Sequence, residues 1–258
     1  MVTRKRLFFD IETSFNVGIF WKSGYKMNIG PENIIHERAI ICVCWKWEGE
    51  DEIHYLHWDE EQSDKTLLEK FIKVINEADE LIAHNGDRYD IKWLRTRCLY
   101  HGIPMFPKYE TIDTLKSAKS LFLFNSNKLD YIAQFLNGEK KLDHEGLGLW
   151  KSVVLEKDAD ALQRMIDYCK QDVLILENVF KRLNEYINPK VNYAVLRGGE
   201  KFQCPECGSV TWVMNKTYTT SMGTIKHHVR CANRKCTKPF TFSNKTYMDY
   251  LKWRMMKG

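Results

Sequence analysis

Two close pairs of cysteines near the end of the chain, Cys204-Pro205-Glu206-Cys207 and Cys231-Ala232-Asn233-Arg234-Lys235-Cys236, restrict what the last quarter can become. Thiolates in two such turns, separated by a hairpin-sized insert, suit one tetrahedral Zn²⁺. Residues 210–215 and 224–229 alternate like strands between the pairs, so a small β ribbon is predicted. So little apolar mass could hardly fold without the ion, which makes the zinc structural. His227 and His228 are competing ligands, but four cysteines already complete the coordination sphere. The remaining cysteines, Cys42, Cys44, Cys98 and Cys169, sit among apolar neighbours and read as reduced core thiols.

Charge is divided along the chain. Residues 1–190 carry 27 Lys and Arg against 31 Asp and Glu, whereas residues 191–258 carry 12 against 3. A basic appendage on a mildly acidic domain suits a polyanionic partner. Lys216, Lys226, Arg230, Arg234, Lys235 and Lys238, mixed with Trp212, Tyr218 and Phe240, are the composition of a nucleic-acid handle, with a protein-docking module as the alternative. A chain of 258 residues that is 44% apolar and 28% charged is ordinary globular material. The basic start has no signal-peptide run behind it, and nothing approaches the roughly 18 apolar residues of a membrane span. A soluble, intracellular (cytoplasmic) protein that does not engage a membrane is expected.

The apolar run Leu7-Phe8-Phe9-Asp10-Ile11-Glu12 reads as a buried strand whose alternation turns Asp10 and Glu12 to one face. Residues 38–47 and 52–57 read as two more strands joined by an acidic turn, giving a three-stranded meander. A helix over 64–78 and a strand over 80–84 follow. Asn85-Gly86 turns the chain, and Asp87 is the expected N-cap of a helix running to about Tyr100. After a strand end at 111–114 come short helices reaching Leu121 and spanning 129–136, then a loop-rich stretch over 137–157. A long helix fills 158–187 and ends at Asn188-Pro189. The expected limits are a catalytic domain over 1–189, a linker over 190–201 flexing at Gly198-Gly199, and the ribbon with a basic tail over 202–258.

Hydrolysis of a phosphodiester needs an activated water and neutralisation of the charge that develops on phosphorus and the leaving oxygen. Two divalent ions, Mg²⁺ or Mn²⁺, supply both, and they need clustered carboxylate oxygens. Three places offer such oxygens: Asp10-x-Glu12 at a strand end, Asn85 through Asp90 at a helix start, and Tyr168-x-x-x-Asp172 one turn apart on the long helix. Each alone is ordinary: a solvated strand end, a first-turn acid, a tyrosine on the flank of an apolar stripe.

Together, the segments DIET (10–13), HNGDRYD (84–90) and YCKQD (168–172) stand in the order and settings of the three exonuclease motifs, and the chain resembles the DEDD (DnaQ-like) 3′→5′ exonucleases over about residues 4–187. Members with a catalytic histidine carry it five residues before the last aspartate; that position is Asp167 here, and Tyr168 fits the tyrosine (DEDDy) subtype. The nearest echo is the proofreading domain of family A and B DNA polymerases, with 112–115 and 128–133 as further landmarks.

The resemblance implies a ribonuclease H-like α/β fold, a mixed sheet flanked by helices. It implies that Asp10, Glu12 and Asp172 hold the water-bearing metal, that Asp10 also reaches the second, that Asp90 supports the second, and that Tyr168 orients the attacking water. Thr13, Phe15 and Asn85 are the substrate-contact candidates, and residues 15–25, with Phe20, Trp21, Lys22 and Tyr25 running on to Lys26, form an aromatic and basic flap able to stack unpaired bases, with packing on its own domain as the alternative. The expected substrate is a single-stranded 3′ end, DNA ahead of RNA, giving 5′-mononucleotides. Any proofreading would serve a separate DNA polymerase or replication protein in trans. An exoribonuclease and a non-catalytic 3′-end-binding module are the alternatives.

Overall fold

The computed structural model describes residues 4–22, 24, 29–137 and 146–257. Two compact units emerge, one spanning Arg6–Val179 and the other running from Phe180 onward together with Arg4 and Lys5.

The first unit is built on a five-stranded sheet. Strand β1 (Arg6–Thr13) is followed by a two-stranded flap, β2 (Val17–Gly18) with β3 (Ile34–His36), and then by β4 (Ile40–Trp47) and β5 (His54–His57). Helix α1 (Lys65–Asn76), β6 (Glu80–Ala83), α2 (Asp90–His101) and β7 (Thr111–Asp113) come next. The strand order is β5-β4-β1-β6-β7, with β4 antiparallel to β1 and β6 parallel to it. The meander of the first long strands is as expected, and the mixed sheet with flanking helices is ribonuclease H-like.

Strand alternation divides β1 between two layers. Leu7, Phe9 and Ile11 bury one face against Leu67, Leu68, Phe71 and Ile75 of α1 and Leu94 of α2. Those α1 residues recur at helical spacing, and each fully buried side chain contributes on the order of 1.5–3 kcal/mol. The residues between them, Phe8, Asp10 and Glu12, therefore turn to the opposite face. There they meet the long helix α6 (Ala159–Leu183): the Cys169 thiol lies 3.5 Å from the Asp10 carbonyl, and the Cys44 thiol 3.6 Å from that of Ile166.

Between β7 and α6 lie α3 (Thr114–Leu121), α4 (Leu129–Asn137) and α5 (Leu147–Val154). Helix α5 corrects the loop-rich reading of 137–157, of which residues 138–145 fall outside the described residues. Gly146 and Gly148, which give the stretch its loop-like composition, sit where a helix tolerates them. Gly146, at φ +59°, starts α5, and Gly148 occupies its first turn, while Leu149, Val153 and Val154 bury one side.

A second correction concerns Asp87. Helix α2 starts at Asp90 without a side-chain cap, and Asp87 instead accepts the Thr111 hydroxyl at 2.6 Å.

The second unit holds a three-stranded sheet, β8 (Trp212–Thr219), β9 (Ile225–Cys231) and β10 (Pro239–Ser243), in the order β10-β9-β8, followed by α8 (Asn244–Lys257). The third strand was not foreseen, although Phe240 and Phe242 are buried at alternate positions around the exposed Thr241. Within 190–201 the chain forms a capped turn of helix, α7 (Tyr193–Leu196), whose Asn192 side chain accepts the Val195 amide. The Tyr193 amide bonds the Pro205 carbonyl at 2.8 Å, and the Gly199 amide the Ala194 carbonyl at 2.8 Å. Among the described residues no helix is long and apolar enough to cross a membrane.

Candidate active site and cysteine cluster

The sheet and α6 bring Asp10, Glu12 and Asp172 together, with one carboxylate oxygen from each lying within 4.8 Å of the others. Asp10 and Glu12 reach the cluster because they are two apart on β1 at its carboxyl end. Asp172 reaches it because residues 165, 166, 169, 173 and 176 bury the α6 stripe and carry it along on the same side. Asp172 is 8% exposed. Tyr168, one turn earlier, is half-buried on that side of α6.

Asp90 is the first residue of α2, delivered by the loop that follows β6. It is 2% exposed, and among the described residues its Oδ1 has no hydrogen-bond partner. Desolvation pushes its carboxyl up to about 7, with Asp113 adding to the rise and the backbone amides of Asp90 itself and Ile11 opposing it. Asp10 is also raised well above the ordinary carboxyl range, by desolvation first and then by Asp90, Glu12 and Asp172. Asp10 is thus crowded by three other carboxyl groups in a partly dehydrated space, and Asp90 keeps a buried oxygen without a hydrogen-bond partner among the described residues. An all-oxygen donor set of this kind fits hard divalent cations such as Mg²⁺ and Mn²⁺.

The loop before Asp90 is tightly specified. Asn85 takes φ +73°, its amide donates to Asp113 Oδ1 at 3.0 Å, and its carbonyl accepts the Tyr89 amide at 2.9 Å. Asp113 also caps α3 through the Lys116 amide, which explains an aspartate there that is not a metal-ligand candidate. A Cβ on Gly86 would come within 2.5 Å of Ala83 Cβ, so the turn needs a glycine. His84 is held by Thr114 Oγ1 and the Asn127 carbonyl, both at 2.9 Å.

Sequence reasoning missed three braces on this site. The Arg38 guanidinium donates to Thr13 Oγ1 at 2.7 Å and to the Tyr89 hydroxyl at 2.9 Å, and lies 4.6 Å over the Trp93 ring. The Thr13 and Tyr89 hydroxyls bond each other at 2.7 Å. Trp150 of α5 donates to the Thr13 carbonyl at 3.0 Å. Tyr89 was visible inside the 84–90 motif, whereas Arg38 carries no local signal and Trp150 lay in the segment read as loop. Of the flap, Phe15 is half-buried and Phe20 and Trp21 are exposed; Tyr25 and Lys26 fall outside the described residues.

In the second unit the thiols of Cys204, Cys207, Cys231 and Cys236 lie within 4.8 Å of one another, with Cys204 and Cys236 3.7 Å apart and Cys207 and Cys231 3.6 Å apart. Sulfurs about 2.3 Å from a tetrahedral centre stand roughly 3.8 Å apart, so the spacing fits Zn²⁺. The first pair sits on a tight turn in which Gly208, at φ +73°, donates to the Cys204 carbonyl at 2.8 Å. His227 is occupied elsewhere, its ring nitrogens paired with Thr217 Oγ1 at 2.9 Å and Asn244 Oδ1 at 3.0 Å.

Residues 34–184 match the RNase_H_2 family, described as RNase_H superfamily. The chain belongs to the RNase H superfamily. The match takes in Asp90, Tyr168 and Asp172 of this RNase H-like chain and begins after Asp10 and Glu12. Curated relatives include a DNA polymerase of Thermococcus kodakarensis, 29% identical over 101 residues, and one of Thermococcus sp. (strain 9oN-7), 31% identical over 99 residues. Each alignment covers 38% of this chain, but only 6% and 12% of those polymerases. Among solved structures, the family B DNA polymerase of Pyrobaculum calidifontis superposes with a TM-score of 0.55 at 15% identity, over 72% of this chain and 25% of that one. That likeness concerns the fold, and it agrees with the RNase H-like sheet.

Proposed function

We propose that this chain is a metal-dependent 3′→5′ exonuclease that removes 5′-mononucleotides from single-stranded DNA. The observation that carries the reading is the meeting of Asp10, Glu12 and Asp172 within 4.8 Å, in a chain whose relatives are DNA polymerases. The motif resemblance to polymerase proofreading domains supports the direction of attack, and the polymerase relatives favour DNA.

In this reading Asp10, Glu12 and Asp172 hold one divalent ion, Mg²⁺ or Mn²⁺, and Asp10 and Asp90 support a second. When bound, such ions acidify a water and neutralise charge on the scissile phosphate. The protein's own part is positional. β1 and α6 hold the carboxylates on one face, and the phenol of Tyr168 hydrogen-bonds and aims the attacking water. Asn85, Thr13 and Phe15 contact the terminal nucleotides. Arg38, Tyr89 and Trp150 keep the end of β1 in register with the loop before α2.

With this reading we propose the sequence-based limits of a catalytic domain over 1–189, a linker over 190–201 and a ribbon over 202–258, while the compact units divide after Val179. Cys204, Cys207, Cys231 and Cys236 hold one structural Zn²⁺, which elemental analysis of the purified chain will count, and the ribbon adds affinity for nucleic acid.

The test is digestion of 3′- and 5′-labelled single-stranded DNA and RNA with Mg²⁺, with Mn²⁺ and with chelator, comparing the wild type with Asp10→Ala. Stepwise loss of nucleotides from the 3′ end, abolished by chelator and by the substitution, is expected. Absence of cleavage by folded, zinc-loaded protein under all conditions overturns the proposal.

A further inference from the structure

The cations and aromatics that looked alike in sequence are sorted by the ribbon's sheet onto two faces. His227, Val229 and Cys231 of β9 point into a core shared with Phe240 and Phe242, and Trp212 packs there with its ring 5.2 Å from Phe242 and 4.6 Å from Tyr250. Lys238 is 3% exposed and bonds Asn184. Trp212 and Lys238 are thus structural, which removes them from any nucleic-acid handle, whereas Phe240 packs in the core and also lines a concavity at the sheet's edge.

The other face is different. Alternation turns Lys226, His228 and Arg230 of β9 outward, and the register sets Tyr218 beside Lys226 and Lys216 beside His228. Tyr218 meets the His228 ring edge-on at 4.6 Å, with the Lys216 ammonium 5.8 Å from its centroid. Arg230 is steadied by the Thr237 carbonyl at 3.4 Å. Residues 212–243 contain six Lys and Arg and no Asp or Glu, so the strands and turns of this sheet supply no carboxylate to neutralise the face. At its edge a concavity of about 580 Å³ is lined by Lys190, Lys201, Tyr218, Lys226, Thr241 and Ser243.

We propose that this outward face is a binding platform for single-stranded nucleic acid, with Tyr218 and His228 stacking bases and Lys216, Lys226 and Arg230 holding phosphates. Charge complementarity names a polyanion, and the aromatic pair set among the cations selects one with exposed bases, because a flat ring rewards an unpaired base and not a carboxylate side chain. The platform deepens the nuclease reading by giving the ribbon's role to particular residues, and it rests on that reading for its substrate class.

The experiment measures binding of fluorescent oligothymidylate by the full, zinc-loaded chain without added Mg²⁺ or Mn²⁺, across salt concentrations, with zinc content and melting temperature as checks on folding. Tyr218→Ala is expected to weaken binding about tenfold and Tyr218→Phe to restore it. Replacing Lys216, Lys226 and Arg230 by Ala is expected to flatten the slope of log affinity against log salt by about 2, at roughly 0.7 for each phosphate that is no longer neutralised. Unchanged affinity and slope in both variants overturn the platform, as does displacement of the oligonucleotide by polyglutamate or duplex DNA as readily as by unlabelled single strand. Mg²⁺-dependent cleavage is measured separately: binding retained without any cleavage sinks the nuclease reading and leaves the platform standing.

Discussion

Trp150 donates its indole N–H to the carbonyl of Thr13 at 3.0 Å, tying α5 to the end of the strand that carries Asp10 and Glu12. The Thr13 side chain is held at the same time by Arg38 and Tyr89. The end of β1 is therefore anchored to the flap side, to the loop before α2 and to α5 at once. Trp150→Phe keeps an aromatic ring and removes the donor. One hydrogen bond of this type contributes about 0.5–1.5 kcal/mol to stability. The expected outcome is a small drop in melting temperature with a several-fold fall in kcat and little change in KM, read by steady-state digestion; an unchanged kcat shows that α5 does not position the site.

Asp64 is fully buried and accepts from Arg97 at 2.7 and 2.9 Å, from the Ile40 amide at 2.9 Å and from His101 at 2.7 Å. Burial works against its ionisation, but these donors outweigh it and hold the carboxyl below its ordinary value. A depressed carboxyl stabilises the fold above the unfolded value, and that contribution disappears as pH falls through the lower folded value. Asp64→Asn leaves a buried guanidinium without its counter-charge, which costs about 3–5 kcal/mol. Urea melts of wild type and variant at neutral pH are expected to differ by that much, and the gap is expected to close as pH drops below about 4. A constant gap across that range contradicts the assignment.

Gly86 closes the turn that delivers Asp90, and an added Cβ meets Ala83 Cβ at 2.5 Å, a distance that neither atom can evade by rotation. Gly86→Ala therefore moves the loop holding Asn85. Activity is expected to fall at least tenfold while the melting temperature drops only modestly, because the displaced segment lies at the end of the sheet. Wild-type activity in a folded Gly86→Ala variant shows that the loop position is not critical.

The parts of this molecule that were legible in sequence are those whose signal is local. The β1 run, the α1 and α6 stripes and the paired cysteines each declare themselves within a few residues. The meeting of Asp10 with Asp172 was inferred from motif order; the physical cause, alternation of β1 against the apolar stripe of α6, becomes visible only when the sheet order is known. Helix α5 was hidden by Gly146 and Gly148, because glycine at a helix start and glycine in a loop look the same in one dimension. Strand β10 was hidden by its proline, which occupies the strand's first residue. The Arg38 brace has no periodicity at all, and only its bonds to Thr13 and Tyr89 and its place over Trp93 reveal it. The ribbon's aromatic and basic residues were plain in the sequence but could not be divided into core and surface until the β8–β9 register was fixed.

The raised carboxyls of Asp10 and Asp90 make a metal-free fold that should dislike alkaline pH. Desolvation takes Asp90 to about 7 and lifts Asp10 as well, so between the ordinary carboxyl range and neutrality the folded chain holds protons that the unfolded chain has released. Stability from these groups is present at low pH and declines as pH rises through that window, opposite in sign to Asp64. On the proposed reading, divalent cations bind the ionised carboxylates and relieve their repulsion, so their stabilising effect is expected to grow as the same groups ionise. Thermal melts with and without millimolar Mg²⁺ are expected to show a larger Mg²⁺-induced shift at about pH 8 than at about pH 5.5, on either side of the window in which these carboxyls ionise. Asp90→Asn removes one titrating group and is expected to flatten the pH dependence of the metal-free protein while shrinking the Mg²⁺ shift. A Mg²⁺ shift of equal size at both pH values, or one insensitive to Asp90→Asn, removes Asp90 from the metal site and leaves its buried oxygen to be explained by the fold alone.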